Sequence, residues 1–146
     1  MKGKVLAAAV LVMLGMALLL NRQQAKACAN SVIAFDDVFA ALNLGEVDRA
    51  AISFAEDATA ENMVRAEIYY GASEIRQMLD EMEHEGRRFN VVEARVDDDT
   101  VTAKVEVSDH GFVWGTETIE ATIRDNKVQT FTVKAFRLEL WRIGRG

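Results

Sequence analysis

Four runs of alternating apolar and polar residues fill the last third of the chain. They occupy residues 89–97, 101–108, 118–123 and 127–141. Period-two alternation with turn residues between the runs is typical of antiparallel strands that have one buried face. Such a sheet must cover its apolar face, and only the helical segments before it are available for this. The pattern therefore predicts an α+β fold.

The hairpins between these runs can be registered from their turns. A two-residue turn at Asp98-Asp99 gives one continuous register for the first hairpin. It pairs Val96 with Val101, Ala94 with Ala103, Val92 with Val105 and Asn90 with Val107. The apolar partners then share one face, which supports the register.

The turn around Asp125 leaves two alternatives. A two-residue loop would put Thr130 and Thr132 on the core face. A three-residue loop with a bulge avoids this. It pairs Ile123 with Gln129, Ala121 with Phe131 and Ile119 with Val133. We favour the bulge because it keeps apolar residues inside.

The first half of the mature chain reads as mostly helical. Apolar residues recur at helical spacing over 31–44, with Phe35 and Phe39 among them, and Asn30 or Ser31 is the expected cap. Further segments are predicted as a short helix over 47–54, a weak strand over 59–66 and a helix over 73–85.

The N-terminus has the layout of a secretory signal peptide. Lys2 and Lys4 precede an apolar run over residues 5–20, and Ala25-Lys26-Ala27 forms a small-x-small site. We predict cleavage after Ala27, which leaves a folded domain at 28–146. The alternative is an uncleaved membrane anchor, although a span needs about 20 residues. Both alternatives predict an exported protein, periplasmic or extracellular.

The net charge and the cysteine content limit which partners and which disulfides the chain can have. The net charge is −6, and removing the four bases of residues 1–27 makes it −10, which argues against a nucleic-acid partner. Cys28 is the only cysteine, so the domain has no internal disulfide. It is either an exposed thiol near a terminus or, less in keeping with Lys26, a lipidated residue.

Several phrases in the chain have a familiar order. A helix carries Ala-Leu-Asn-x-Gly-Glu-Val-Asp, a short helix ends in Phe-Ala-Glu-Asp-Ala, and a Gly-x-x-x-Ile helix starts at Gly71, before the long strands. Over residues 31–141 this resembles the SnoaL-like branch of the superfamily of ketosteroid isomerase and nuclear transport factor two. The resemblance implies a cone-shaped barrel, a curved antiparallel sheet wrapped round the N-terminal helices, with a pocket between them. It also implies a homodimer formed through the sheet.

Candidate site residues lie where the predicted core face becomes polar. Asn90, Asp109 and Glu117 are the first polar groups on that face, and His110 follows at the hairpin bend. Partial burial could raise the pKa of Asp109 or Glu117 enough for general acid–base catalysis. Tyr69, Tyr70 and Trp114 are aromatic candidates for the rim of a ligand pocket. Turn geometry alone also explains Asp109 and His110.

Other chemistries find no support in the sequence. Asp109-His110 alone does not make a metal site, and the chain shows no phosphate loop, no nucleophile elbow and no cofactor motif. The acid and tyrosine set of a ketosteroid isomerase cannot be matched residue by residue.

Two functions remain as expectations. One is an exported domain that binds a small apolar ligand or acts as a dimeric interaction module. The other is an isomerase, cyclase or dehydratase that uses a pocket carboxylate. We favour binding because the predicted interior is poor in acids. A buried carboxylate facing a cavity of about 300 Å³ or more would favour the enzyme instead.

Overall fold

The structure, a computed structural model, describes residues 2–139, with side chains from residue 10 onward. Three helices and six strands follow one another in this range. The helices are α1 (Lys2–Asn43), α2 (Val47–Ala51) and α3 (Gly71–His84). The strands are β1 (Phe54–Asn62), β2 (Glu67–Tyr70), β3 (Arg87–Asp97), β4 (Thr100–Asp109), β5 (Phe112–Arg124) and β6 (Lys127–Leu138).

The six strands form one sheet in the order β2-β1-β6-β5-β4-β3. All neighbouring strands are antiparallel except β1 and β6, which run parallel. The prediction of a wholly antiparallel sheet is therefore wrong at this one pair. The reason is topological, because the whole of the chain between β1 and β6 forms the crossover that joins them. The α+β cone itself is confirmed.

The core forms where the second half of α1 lies across the concave face of the sheet. Phe35 and Phe39 are buried and pack edge to face, with ring centroids 5.1 Å apart. The Phe39 ring also packs against Phe89 of β3, with ring centroids 5.4 Å apart, and both helix residues pack against Phe131 of β6. Val105, Ala121 and Val133 face this cluster from β4, β5 and β6 and are buried as predicted.

The β3–β4 hairpin follows the predicted register only near its turn. Val96 pairs with Val101 and Ala94 with Ala103, but a bulge between Val91 and Glu93 shifts the rest of the strand by one residue. Phe89 consequently pairs with Val107 and faces the core. Asn90 points outward, and Val92 is 52% exposed. The predicted inward positions of Asn90 and Val92 are wrong, because the bulge changes which face each residue occupies.

The β5–β6 hairpin contains a bulge, as predicted, but the predicted three-residue loop is wrong. Ala121 pairs with Phe131 and Ile119 with Val133, as expected. Ile123 pairs with Val128 instead of Gln129, because the turn has two residues, Asp125 and Asn126, and the extra residue lies further along β6. Both turn residues have positive φ, which is the conformation of a type I′ turn.

The helices differ from the predicted bounds at their ends. The predicted helix over 31–44 is the last part of α1, which runs through Ala27 without a break, so Ser31 is not a cap and its hydroxyl donates to Ala27 O. From residue 10 to residue 27 the side chains are exposed. Helix α2 stops at Ala51, and Phe54 begins β1. Within the described residues, no helix is long and apolar enough to cross a membrane.

Asn43, the last residue of α1, fixes the helix to the sheet. Its amide nitrogen donates to Phe89 O at 2.6 Å, and its amide oxygen accepts from Phe89 N–H at 2.8 Å. Strand β3 is an edge strand, so these backbone groups have no neighbouring strand to pair with. One side chain therefore satisfies both edge groups of Phe89 and holds α1 against β3.

Replacing Asn43 with alanine is expected to lower the free energy of unfolding by about 1–3 kcal/mol, because it leaves the buried edge of Phe89 unsatisfied. Asn90→Ala, on the exposed face of the same strand, is the matched control and should change it by less than about 0.5 kcal/mol. Urea denaturation measures both. Equal, small effects would show that Asn43 does not fasten the helix.

Candidate functional site

Glu117 is the one acidic residue on the inward face of β5. The residues that share this face are Gly115, Ile119, Ala121 and Ile123, and all are buried. Strand alternation places the Glu117 carboxyl among them, opposite Val105 of β4 and Phe136 of β6. The residue is only 7% exposed, so a carboxyl group lies inside the open end of the cone.

Two adjoining clefts meet at Glu117. The first has a volume of about 30 Å³ and the second about 120 Å³. Both are lined by Asn62, Arg65, Arg87 and Glu117. The first cleft continues between the β1–β2 hairpin and the end of α3, where Tyr69, Met78 and Met82 lie. The second continues between β4, β5 and the end of β6, where Val107, Trp114 and Phe136 lie.

The Glu117 carboxyl has no hydrogen-bond donor for its Oε2 atom among the described residues. Buried polar atoms without a partner are rare, and each calls for an explanation. Burial raises the pKa of Glu117 above its ordinary value of 4.5, and the positive charges of Arg87 and Arg65 oppose this only in part. Glu117 is therefore a desolvated acid that faces a cleft.

The two arginines of the site are engaged with another carboxylate. Arg87, 13% exposed at its side chain, contacts Glu85 through Nη2, and Arg65 Nη1 lies 3.8 Å from the second Glu85 oxygen. Glu85 lies just after α3, Arg87 opens β3, and Arg65 lies in the β1–β2 turn. This ion-pair network joins three elements at the rim of the clefts. It also leaves Glu117 without a direct ion pair among the described residues.

Aromatic side chains bound the clefts on two sides. Trp114 and Phe136 pack edge to face, with ring centroids 6.2 Å apart. Phe136 lies directly over Gly115, where a Cβ atom would come within 2.2 Å of the ring, so only glycine fits there. Across the site, the Tyr69 hydroxyl donates to Glu67 at 3.1 Å. The pKa of Tyr69 is raised, mainly by desolvation and secondly by the hydrogen bond to this carboxylate.

Three of the seven predicted site residues come together. Glu117, Tyr69 and Trp114 all line the clefts. Tyr70, by contrast, is exposed at the end of β2, where its N–H donates to Glu74. Asn90 lies on the outer side of β3, for the reason given above.

Asp109 is the last residue of β4 and His110 the first residue of the β4–β5 turn, and neither lines a cleft. The Asp109 side chain is partly exposed and contacts His110 Nδ1, and His110 has positive φ and an exposed ring. Their placement follows the turn interpretation, and Asp109 does not share the site with Glu117.

Asn62, Arg65, Glu85 and Arg87 were not among the predicted site residues. Arg87 enters the site because the β3 bulge aligns it with Asp109, and a bulge of this kind has no clear sequence signal. The sequence did contain one clue. Phe89 is expected to be buried and Asn90 to be exposed, and this requires a shift of register in that strand. The other three residues lie in or beside turns whose approach to β5 depends on tertiary packing.

The sequence model of the SnoaL-like domain matches residues 35–139, which is well over half of the chain. The chain belongs to the SnoaL-like domain family. No curated protein matches its sequence.

Solved structures with the same fold are numerous but distant in sequence. A protein from Sinorhizobium meliloti, proposed to be a polyketide cyclase, is 20% identical with a TM-score of 0.60, covering 71% of this chain and 93% of its own. A proposed ketosteroid isomerase from Kribbella flavida is 16% identical with a TM-score of 0.64, covering 77% and 79%. An LEH-like epoxide hydrolase from M. tuberculosis is 12% identical with a TM-score of 0.63, covering 79% and 86%. These likenesses show the SnoaL-like fold and not an activity.

The described part of the SnoaL-like domain contains no cluster of side chains that could bind a metal ion. No three His, Cys, Asp or Glu side chains lie close enough together there to hold a metal ion.

Replacing Glu117 with leucine is expected to raise the free energy of unfolding at pH 7 by about 1–3 kcal/mol, because it removes an unpartnered buried polar group. The pKa of Glu117 is raised in the folded state, so the folded protein binds more protons than the unfolded chain above pH 4.5. This group's contribution to stability is therefore lost as the pH rises, and the advantage of leucine should shrink towards pH 4.5.

Urea denaturation across this pH range tests the expectation. Glu120→Gln is the control, since Glu120 lies on the opposite face of β5 and pairs with Lys134 at 2.8 Å. A Glu117→Leu protein that is less stable than the wild type at pH 7 would mean that the carboxylate has a stabilising partner.

Proposed function

We propose that this SnoaL-like domain binds a small molecule in the clefts over Glu117. The observation that carries the proposal is the buried Glu117 oxygen that lacks a donor while facing open space. A carboxyl group in this position costs stability, so a ligand that supplies a donor explains its presence better than folding does.

The cleft walls indicate the size and character of the ligand. Val107, Trp114 and Phe136 offer apolar surface in the larger cleft, and Phe131 and Val133 do so in the smaller one. An apolar cavity of about 150 Å³ holds benzene, so a volume of about 120 Å³ suits a ligand part of benzene size or slightly smaller. The proposed ligand is thus a compact apolar body with one polar group directed at Glu117.

Replacing Trp114 with alanine should weaken binding about three- to tenfold, because the apolar wall over the ligand is lost. Benzyl alcohol is a suitable neutral probe, titrated into the full-length chain and followed by amide chemical shifts. Phe112→Ala is the matched control, since Phe112 is on the same strand, 72% exposed and outside both clefts. Shifts that spare Glu117 and Trp114, or equal affinities for all three proteins, would contradict the proposal.

An enzyme of the isomerase, cyclase or dehydratase kind is the second candidate. A desolvated carboxyl with a raised pKa can transfer protons near neutral pH, and Glu117 meets this condition. The cleft volumes fall below the roughly 300 Å³ usual for substrate pockets, which supports binding over catalysis. Solvent deuterium entering the α-position of cyclopentanone with wild type, but not with Glu117→Gln, would reverse this preference.

We further propose that the domain acts outside the cytoplasm. The support is the basic start, the apolar run and the small-x-small site at Ala25-Lys26-Ala27. The mature protein should begin at Cys28, and intact-mass measurement of the exported protein tests this. A mass that includes residues 1–27 would favour the anchored form instead.

A homodimer through the outer face of the sheet is the remaining proposal. This face is mixed and rich in threonine, and Lys104 and Glu93 form an ion pair across it at 2.7 Å. The residues that present it are Thr102, Lys104, Glu106, Thr118, Glu120 and Thr122. Sedimentation of the full-length chain at micromolar concentration should show a dimer, and Thr118→Arg should reduce it. A wild type that is only monomeric contradicts the proposal.

A further inference from the structure

The first of the two clefts over Glu117 is lined by an excess of negatively charged groups, whereas Glu117 is the one carboxylate that lines the second, together with Arg65 and Arg87. Five carboxylates and two guanidinium groups contribute to the first cleft. The carboxylates belong to Glu61, Glu67, Glu81, Glu85 and Glu117, and the guanidinium groups to Arg65 and Arg87. Both arginines share the single carboxylate of Glu85, which offsets part of their positive charge. An anionic group that entered the first cleft would meet mostly like charge.

The unpaired carboxyl oxygen of Glu117 can accept a hydrogen bond, and a positively charged donor matches its negative charge best. More than nine-tenths of the residue is buried, and its Oε2 atom has no partner among the described residues. A neutral hydroxyl group could donate to this oxygen. An ammonium group could donate as well, and its positive charge would add an ion pair to the hydrogen bond.

The aromatic wall provides a second attraction for a cation. The Trp114 ring packs edge to face on Phe136 and lines the same cleft as Glu117. An indole face attracts a nearby cation more strongly than any other aromatic side chain does. Its apolar surface also covers the carbon atoms next to the charged nitrogen.

We propose that the site takes a small organic amine in its ammonium form, with its nitrogen donating to Glu117 and its apolar body against Trp114 and Phe136. This inference names the ligand class of the site described above and rests on the proposed function. It distinguishes amines from alcohols and carboxylates of the same shape, which the cleft volume alone does not.

Three probes of one shape separate these classes. Benzylamine, benzyl alcohol and benzoate are titrated into the full-length chain at pH 7 and followed by amide chemical shifts. Benzylamine should bind about tenfold more tightly than benzyl alcohol, because the ammonium group adds an ion pair to a hydrogen bond that both probes can make to the carboxylate. Benzoate should bind more weakly than either.

Variants then assign the preference to one side chain. Glu117→Gln keeps the shape of the residue and removes its charge, so the affinities for benzylamine and benzyl alcohol should become equal. Glu120→Gln removes a carboxylate from the opposite face of the same strand and should keep the wild-type ratio. The wild-type comparison of the three probes needs no variant, so it decides the question even if Glu117→Gln folds poorly.

Each outcome has a defined meaning. Equal binding of the amine and the alcohol to wild type, or a preference that survives in Glu117→Gln, overturns the amine assignment and leaves the binding function standing. Failure of all three probes to shift the cleft residues overturns both.

Discussion

The packing of two α1 phenylalanines on the concave sheet is the contact on which the rest of the structure depends. Phe35 and Phe39 meet Phe131 and Phe89, so one helix face touches strands at the centre and at the edge of the sheet. A sheet that covers a helix in this way must curve, and its bulges in β3 and β6 supply extra bend. The cone closes over α1 and stays open where the helix does not reach.

At the open end of the cone, the residue that is present is not the one that would stabilise the fold most. Along β5 the inward positions are apolar until Glu117, which lies buried without a donor for one oxygen. Leucine would suit the same position better for stability. Natural chains accept such a cost mainly at functional sites. The Glu85 network beside it holds the rim in place while leaving this acid available.

Much of this fold could be predicted from alternation alone, because the sheet has one buried face. The inward placement of Val105, Ala121 and Val133 follows directly from period two, and so does that of Glu117. Asn90 was misplaced because a bulge shifts the register by one residue, and the adjacent Val91 and Val92 fit either face of the sheet. Burial of Phe89 was the only hint.

The site was only partly predictable, for a related reason. Glu117 could be found because strand position determines its direction, but Arg65 and Glu85 belong to turns that approach β5 only after the chain has packed. Asp109 was expected on the same face as Glu117, but its side chain contacts His110 and lines neither cleft.

The pKa of the Glu117 carboxyl is the most direct test of whether this group is a buried acid in a binding site. Its carboxyl carbon can be followed by nuclear magnetic resonance from pH 3 to pH 9 in protein labelled at glutamate, with Glu117→Gln identifying the signal. The pKa of Glu117 is expected to lie above the ordinary 4.5, because the group is desolvated and one of its oxygens lacks a donor among the described residues. A pKa at or below 4.5 would show a carboxylate that is solvated or paired, and would contradict both the buried acid and the site built around it.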